Sequence, residues 1–137
     1  MRPDTDASYF NAQTHLDPFE FLREGFLGRV EDQGLVVSSW APQVEILSHG
    51  STGGFLTRCA WNSILECVVC GVPMIVWPLF AKQKMNVILV TNGLGVARRM
   101  KVEENRVVRR DEVENCVLSL IEGEDGRIMR LKVSELK

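Results

Sequence analysis

Residues Trp40 to Gln83 read WAPQVEILSHGSTGGFLTRCAWNSILECVVCGVPMIVWPLFAKQ, and the alternation within this stretch decides the fold. Two strand-like runs, Gly54 to Thr57 and Val72 to Trp77, flank a segment in which Trp61, Ile64, Leu65, Val68 and Val69 recur at helical spacing. Strand, helix, strand is the repeating unit of a parallel sheet. The first turn of that helix carries Asn62 and Ser63 beside backbone N–H groups that no helical carbonyl can reach, and such a start is a ready anion site. Glu66 lies one turn beyond Asn62 on the same face, where a carboxylate can accept hydrogen bonds from two vicinal hydroxyls.

Upstream, Leu35-Val36-Val37 after Gly34 predicts a short buried strand. Residues 1–34 contain no strand pattern and are punctuated by Asn11, Asp17-Pro18, Gly25, Gly28 and Gly34, which predicts a surface loop with a short helical turn. Phe19, Phe21, Leu22, Phe26 and Leu27 are too many apolar residues for a free tail, so this segment is expected to lie against the domain. Pro42 suits the first turn of a helix with Val44 and Leu47 inward and a break at Gly50.

Downstream, Gly71 is placed to stop the Trp61 helix. Gln83 to Asn92 predicts another helix with Met85, Ile88 and Leu89 inward and Gly93 as its stop. Gly95 to Arg98 is a weaker strand, and Arg98 to Arg110 a solvated connection. Asp111 with Glu114 resembles a capping box opening a helix whose stripe is Val113, Cys116, Val117, Leu120 and Ile121, and a charged C-terminal helix follows Gly123. Strands alternating with helices predict a parallel, doubly wound α/β sheet that binds ligands at the carboxyl ends of its strands.

The chain has 137 residues, 45% hydrophobic and 25% charged, which suits one domain. Its net charge of −2 is spread without a basic face, so nothing points to nucleic acid or an anionic membrane. The polar N-terminus lacks the apolar core of a signal peptide and no apolar run approaches the ~18 residues of a membrane span, so a cytoplasmic protein is expected. Cys67-Val-Val-Cys70 has redox or zinc spacing. It lies in an apolar helix stripe with no second close Cys or His pair, so these thiols read as small buried hydrophobes and no metal is expected. Gly93-Leu-Gly95 lacks the third glycine of a dinucleotide fingerprint and does not follow a strand, which excludes that reading.

The stretch is similar, almost end to end, to the signature box of plant secondary-product glycosyltransferases. W-A-P-Q, W-N-S, L-E, G-V-P, W-P-L-F and the closing Gln carry the match. Ser8-Tyr9-Phe10-Asn11-Ala12-Gln13 and Asp17-Pro18-Phe19 further resemble the branch containing hydroquinone glucosyltransferases. The resemblance implies a Rossmann-like parallel sheet flanked by helices, the partial C-terminal donor domain of a GT-B glycosyltransferase. It implies transfer of a hexosyl group, glucose, from a UDP-sugar to the hydroxyl of a small phenol with inversion, the UDP-sugar being a substrate and no cofactor being needed. It also assigns residues. Trp40 stacks on uracil, with the Ala41 backbone and Gln43 side chain holding the nucleoside. Asn62 and Ser63 contact phosphate, Glu66 the ribose, and Trp61 and Gln83 the sugar.

Departures from the family pattern are equally specific. Arg58 stands where the family has the His that contacts the diphosphate, and a guanidinium, although always cationic, cannot take an imidazole's place without displacing a neighbour. Lys82 stands where an acidic residue reads sugar hydroxyls, so an acceptor becomes a donor. Arg23 replaces a Pro, Ala60 a Gly at a tight turn, and Cys67 a Ser. The family's N-terminal acceptor domain, with its His general base, has no counterpart here, and neither His15 nor His49 matches a catalytic position. No catalytic residue is therefore assigned. In the 3-2-1-4-5-6 strand order, strands one and two lie between the Leu35 run and the Gly54 strand, and they precede this stretch in the family. The alternative is an inactive remnant that at most binds nucleotide or a protein partner.

Overall fold

The structure, a computed structural model, describes residues 19–77 and 83–137. These fall into two compact units divided between Ala41 and Pro42. The first contains one short helix, α1 (Phe26–Val30), entered through Gly25 at φ 78° and burying none of its residues. The helical turn expected in this region is present. Phe19, Leu22 and Phe26 are half-buried, while Phe21 and Leu27 are exposed, so the apolar cluster makes no core of its own.

The second unit contains α2 (Gln43–Ser48), β1 (Phe55–Thr57), α3 (Trp61–Cys70), β2 (Met74–Val76), α4 (Lys84–Ile88), a π-helical turn (Leu89–Gly93), β3 (Ala97–Arg99), α5 (Arg110–Ile121) and α6 (Glu124–Leu136). Its sheet has the order β1-β2-β3 with both pairs parallel, Phe55 opposite Met74 and Met74 opposite Ala97. β2 is central and wholly buried. On one face Met74 and Val76 meet Ile64 and Cys67 of α3, Val87 of α4, Val90, Leu47 of α2 and Val133 of α6. On the other, Ile75 meets Met100, Cys116 and Leu120 of α5, and Met129 of α6. Two faces covered by helices from alternating connections give the expected α/β class.

Gly71 stops α3 as its sequence position suggests. It sits at φ 72°, and its N–H donates to the carbonyls of Cys67 and Val68. Several other expectations are corrected. Leu35-Val36-Val37 is not a strand, and Leu35 is 88% exposed. A strand exists only by pairing, and the sheet among the described residues has no partner for it. α3 turns a different face inward: Ile64 and Cys67 are buried and Val68 packs beside them, whereas Trp61, Leu65 and Val69 are exposed. Cys67 is the small apolar residue that completes the inner face, as its context indicates.

Along α4 and the π turn, Val87 and Val90 are buried while Met85, Ile88 and Leu89 are exposed. The inward face is thus set by Val87 and Val90, three residues apart, before the turn that the i→i+5 bond from the Leu94 N–H to the Leu89 carbonyl widens. Val44 is half exposed and only Leu47 of α2 is buried. α5 buries Cys116 and Leu120 but not Val117 or Ile121. It begins two residues earlier than a capping box on Asp111 would require: Arg109 is the cap position, and the Asp111 carboxylate accepts instead from the Arg109 guanidinium at 3.4 Å.

Candidate functional site

The carboxyl ends of β1 and β2 carry the residues in question. β1 ends at Thr57, whose side chain is buried, and the chain then runs Arg58-Cys59-Ala60 into α3. Ala60, extended at φ −68° and ψ 143°, offers no side-chain cap. The first intrahelical bond goes from Ile64 N–H to Ala60 carbonyl. The N–H groups of Trp61, Asn62 and Ser63 therefore lie outside the helix's own ladder, and the macrodipole leaves partial positive charge there. The methyl of Ala60 is compatible with that extended backbone. The left-handed residue of this turn is Cys59, at φ 73° and fully buried.

Three residues singled out in the sequence meet directly. Gln43 opens α2, and its Nε2 donates to Glu66 Oε2 at 2.5 Å and to Ser63 Oγ at 3.4 Å. Ser63 and Glu66 are three apart, so both point from the same side of α3 toward α2. Holding one carboxylate oxygen of Glu66 fixes the group's orientation and leaves the other oxygen to accept. Asn62 is exposed beside them and Trp61 is half exposed at the first helical position. Arg58 is exposed at the end of β1.

Gln83 immediately precedes α4, and its Oε1 is buried with no hydrogen-bond partner among the described residues. A buried acceptor left unpaired in this way carries the desolvation penalty of the group until a donor arrives. Trp40 and Ala41 are the last two residues of the first unit, Trp40 being 63% exposed. Lys82 lies outside the described residues, as do His15, Ser8 to Gln13 and Asp17-Pro18. His49 is exposed in the loop after α2, where its Nδ1 accepts the Ser51 N–H at 3.1 Å.

Cys67 is buried against the sheet, and its thiol is pushed up to about 12, first by burial and then by its neighbours Cys70, Glu66 and Cys59. Burial also raises Cys59. Thiols held protonated in this way are poor nucleophiles and poor metal ligands at neutral pH. Among the described residues no helix is long and apolar enough to cross a membrane.

Two residues that the sequence reading passed over hold the turn. Thr57 Oγ1 accepts the Cys59 N–H at 3.1 Å, and Asn86 Nδ2 donates to the Cys59 carbonyl at 3.1 Å. The available signal is faint: Asn86 is a short polar residue among the apolar residues of its helix.

A family model described as UDP-glucoronosyl and UDP-glucosyl transferase matches residues 11–136. The chain is 56% identical over 131 residues to UDP-glycosyltransferase 72B2 of Arabidopsis thaliana, covering 96% of this chain and 27% of the relative. It is 55% identical over 132 residues to hydroquinone glucosyltransferase of Rauvolfia serpentina, again covering 96% of this chain and 28% of the relative. Among solved structures, Phytolacca americana UGT2 complexed with UDP-2fluoro-glucose and pterostilbene superposes with a TM-score of 0.82 at 51% identity, over 88% of this chain and 28% of that one. Os79 from O. sativa in complex with UDP does so with a TM-score of 0.76 at 33% identity, over 84% and 26%. The chain thus spans little more than a quarter of the length of these relatives.

Proposed function

Because the chain belongs to the UDP-glucoronosyl and UDP-glucosyl transferase family, we propose that it supplies the nucleotide-sugar side of a plant enzyme that glucosylates small phenols in the cytoplasm. The sugar moves from UDP to a phenolic hydroxyl with inversion at the anomeric carbon. The observation that carries this reading is the Gln43, Ser63 and Glu66 cluster beside the uncapped start of α3. The free N–H groups of α3, with Asn62, Ser63 and Arg58, take the diphosphate. The unengaged oxygen of Glu66 accepts from the ribose. Trp61 and Gln83 face the sugar, with Lys82 beside Gln83 in sequence, and by resemblance alone Trp40 and Ala41 take the base.

Calorimetric titration with UDP tests the donor half of this reading. Glu66→Ala should weaken binding roughly tenfold to a hundredfold, as expected for loss of a charge-assisted hydrogen bond worth about 1.5 to 3 kcal/mol. Equal affinities for the two proteins would remove the ribose contact.

A second reading, a nucleotide-binding remnant without transferase activity, is favoured by the Arg58 and Lys82 substitutions. Positioning of donor, acceptor and base can be worth ~7 to 11 kcal/mol of barrier, and donor contacts cannot replace it. The isolated chain and its Arg58→His, Lys82→Glu variant should both be silent with UDP-glucose and hydroquinone. Grafted into a full-length relative, the segment should be active only with His and Glu restored. A graft active with Arg58 and Lys82 in place would eliminate the remnant reading.

A further inference from the structure

Resting on the donor-site reading above, we infer that Asn86 is a positioning residue for the diphosphate, acting through the backbone of Cys59 without touching the ligand. The turn between β1 and α3 contains a non-glycine residue in the left-handed region, Cys59 at φ 73°, and that residue is fully buried. Such a conformation persists only where its surroundings over-determine it. Here two side chains do so, one for each polar group of the residue. Thr57 Oγ1 accepts the N–H at 3.1 Å, and Asn86 Nδ2 donates to the carbonyl at 3.1 Å.

The two anchors differ in kind. Thr57 is only two residues away in the same strand end, so its hydrogen bond is a local turn contact. Asn86 comes from α4, in the next crossover, and stands three residues after Gln83, whose Oε1 is buried without a partner among the described residues. One amide therefore ties the turn that aims the first N–H groups of α3 to the helix start that carries the other proposed contact. If the Cys59 carbonyl swings, the peptide planes that follow it rotate, and the Trp61, Asn62 and Ser63 N–H groups no longer converge on one anion. Anion binding by backbone N–H groups depends on that convergence. Contacts to the base and ribose come from other residues and do not depend on it.

The inference is tested by titrating both UDP and uridine into the whole chain, with ligand-observed NMR for the weaker nucleoside. Asn86→Ala should weaken UDP about tenfold, the scale expected for a small misplacement of aligned groups, and leave uridine within about twofold. Cys59→Gly added to Asn86→Ala should recover most of the UDP affinity, because glycine holds positive φ without a tether. A role in general stability would weaken both ligands alike, and glycine would not rescue it. Should Asn86→Ala not fold, Asn86→Leu keeps the shape without the donor and carries the same expectation. Equal losses for uridine and UDP, or no loss of UDP binding, overturn the inference and leave the donor-site reading standing. Failure of the unaltered chain to bind UDP overturns both.

Discussion

The start of α3 and the corner between α5 and α6 pack against the same sheet and are finished differently. At α3 the cap position makes no side-chain bond, a non-glycine residue is left-handed, Trp61 is half exposed and a nearby buried acceptor has no partner among the described residues. At the corner the cap position, Gly123, makes no side-chain bond either, but among the described residues no buried side-chain acceptor there lacks a partner. The Arg130 guanidinium donates to the Leu120 carbonyl at 2.6 Å and that of Arg98 to Ser119 Oγ at 2.7 Å. Gly126 is buried, and a Cβ there would stand 1.8 Å from the Leu120 carbonyl oxygen. The corner is closed by side chains of its own neighbourhood, whereas the α3 start has beside it a buried acceptor that is unpaired among the described residues.

A large effect that bears on this contrast is expected from Gly126→Ala. The clash is with backbone, so α5 and α6 must separate, and overpacking of this kind should cost about 3 kcal/mol in denaturant unfolding. UDP affinity of the folded fraction should not change. A loss of affinity beyond the unfolded fraction would mean that the two regions are mechanically one.

Within α3 the same contrast runs between its faces. Ile64→Ala removes a buried side chain and should cost about 2 to 4 kcal/mol, while Leu65→Ala, on the exposed face, should fall within about 0.5 kcal/mol. A substantial cost at Leu65 would show that the outer face is covered in solution.

Titration separates the regions further. The Cys67 thiol resists ionisation up to about 12, against 9.0 in an unfolded chain. Above pH 9 the unfolded state has therefore released a proton that the folded state keeps, and stability should fall as pH rises through that window. Cys67→Ala should reduce this alkaline slope, to which the raised Cys59 and Cys116 thiols also contribute, as followed by unfolding at pH 8 and pH 10. An unreduced slope would assign it elsewhere.

The smallest effect belongs to the corner side. Glu112 Oε1 accepts the Lys101 N–H at 3.0 Å, and that bond, followed by the one from Cys116, holds its carboxyl below the ordinary value of 4.5. Its contribution is present above that value and is lost as pH falls through the lowered one. Glu112→Gln should slightly reduce the loss of stability on acidification below about pH 4.5, since the group is solvent-facing. A large change would mark it as structural.

What was legible in the sequence follows the range of the forces involved. Gly71, the strands around Phe55 and Met74, and the helices after Trp61 and Gly123 rest on local spacing and turn chemistry, and all are present. The family box brought Gln43, Ser63 and Glu66 into one argument, and they meet in space. Cys67 is buried as its context indicates, but Trp61, Leu65 and Val69, which share the apolar spacing, face outward. Exposed apolar side chains are compatible with a folded surface, so composition alone does not choose a face. Leu35-Val36-Val37 failed because pairing is a property of two strands. Asn86 was missed because its hydrogen bond joins residues 27 apart and carries no periodic signal.

The π-helical turn between α4 and β3 has a further consequence for how this chain tolerates changes in length. Side chains in a strand alternate with a period of two, so one residue added between β2 and β3 would exchange the faces of Ala97 and Arg98 and drive a guanidinium into the core. A turn closed by an i→i+5 bond accommodates one residue more than an ordinary helical turn, inside the helix and short of the strand. It works as an expansion joint. Removing one residue between Leu89 and Gly93 should close the turn to ordinary α geometry while Met74 stays opposite Ala97, giving this crossover a slack of one residue that the three-residue strands themselves do not have.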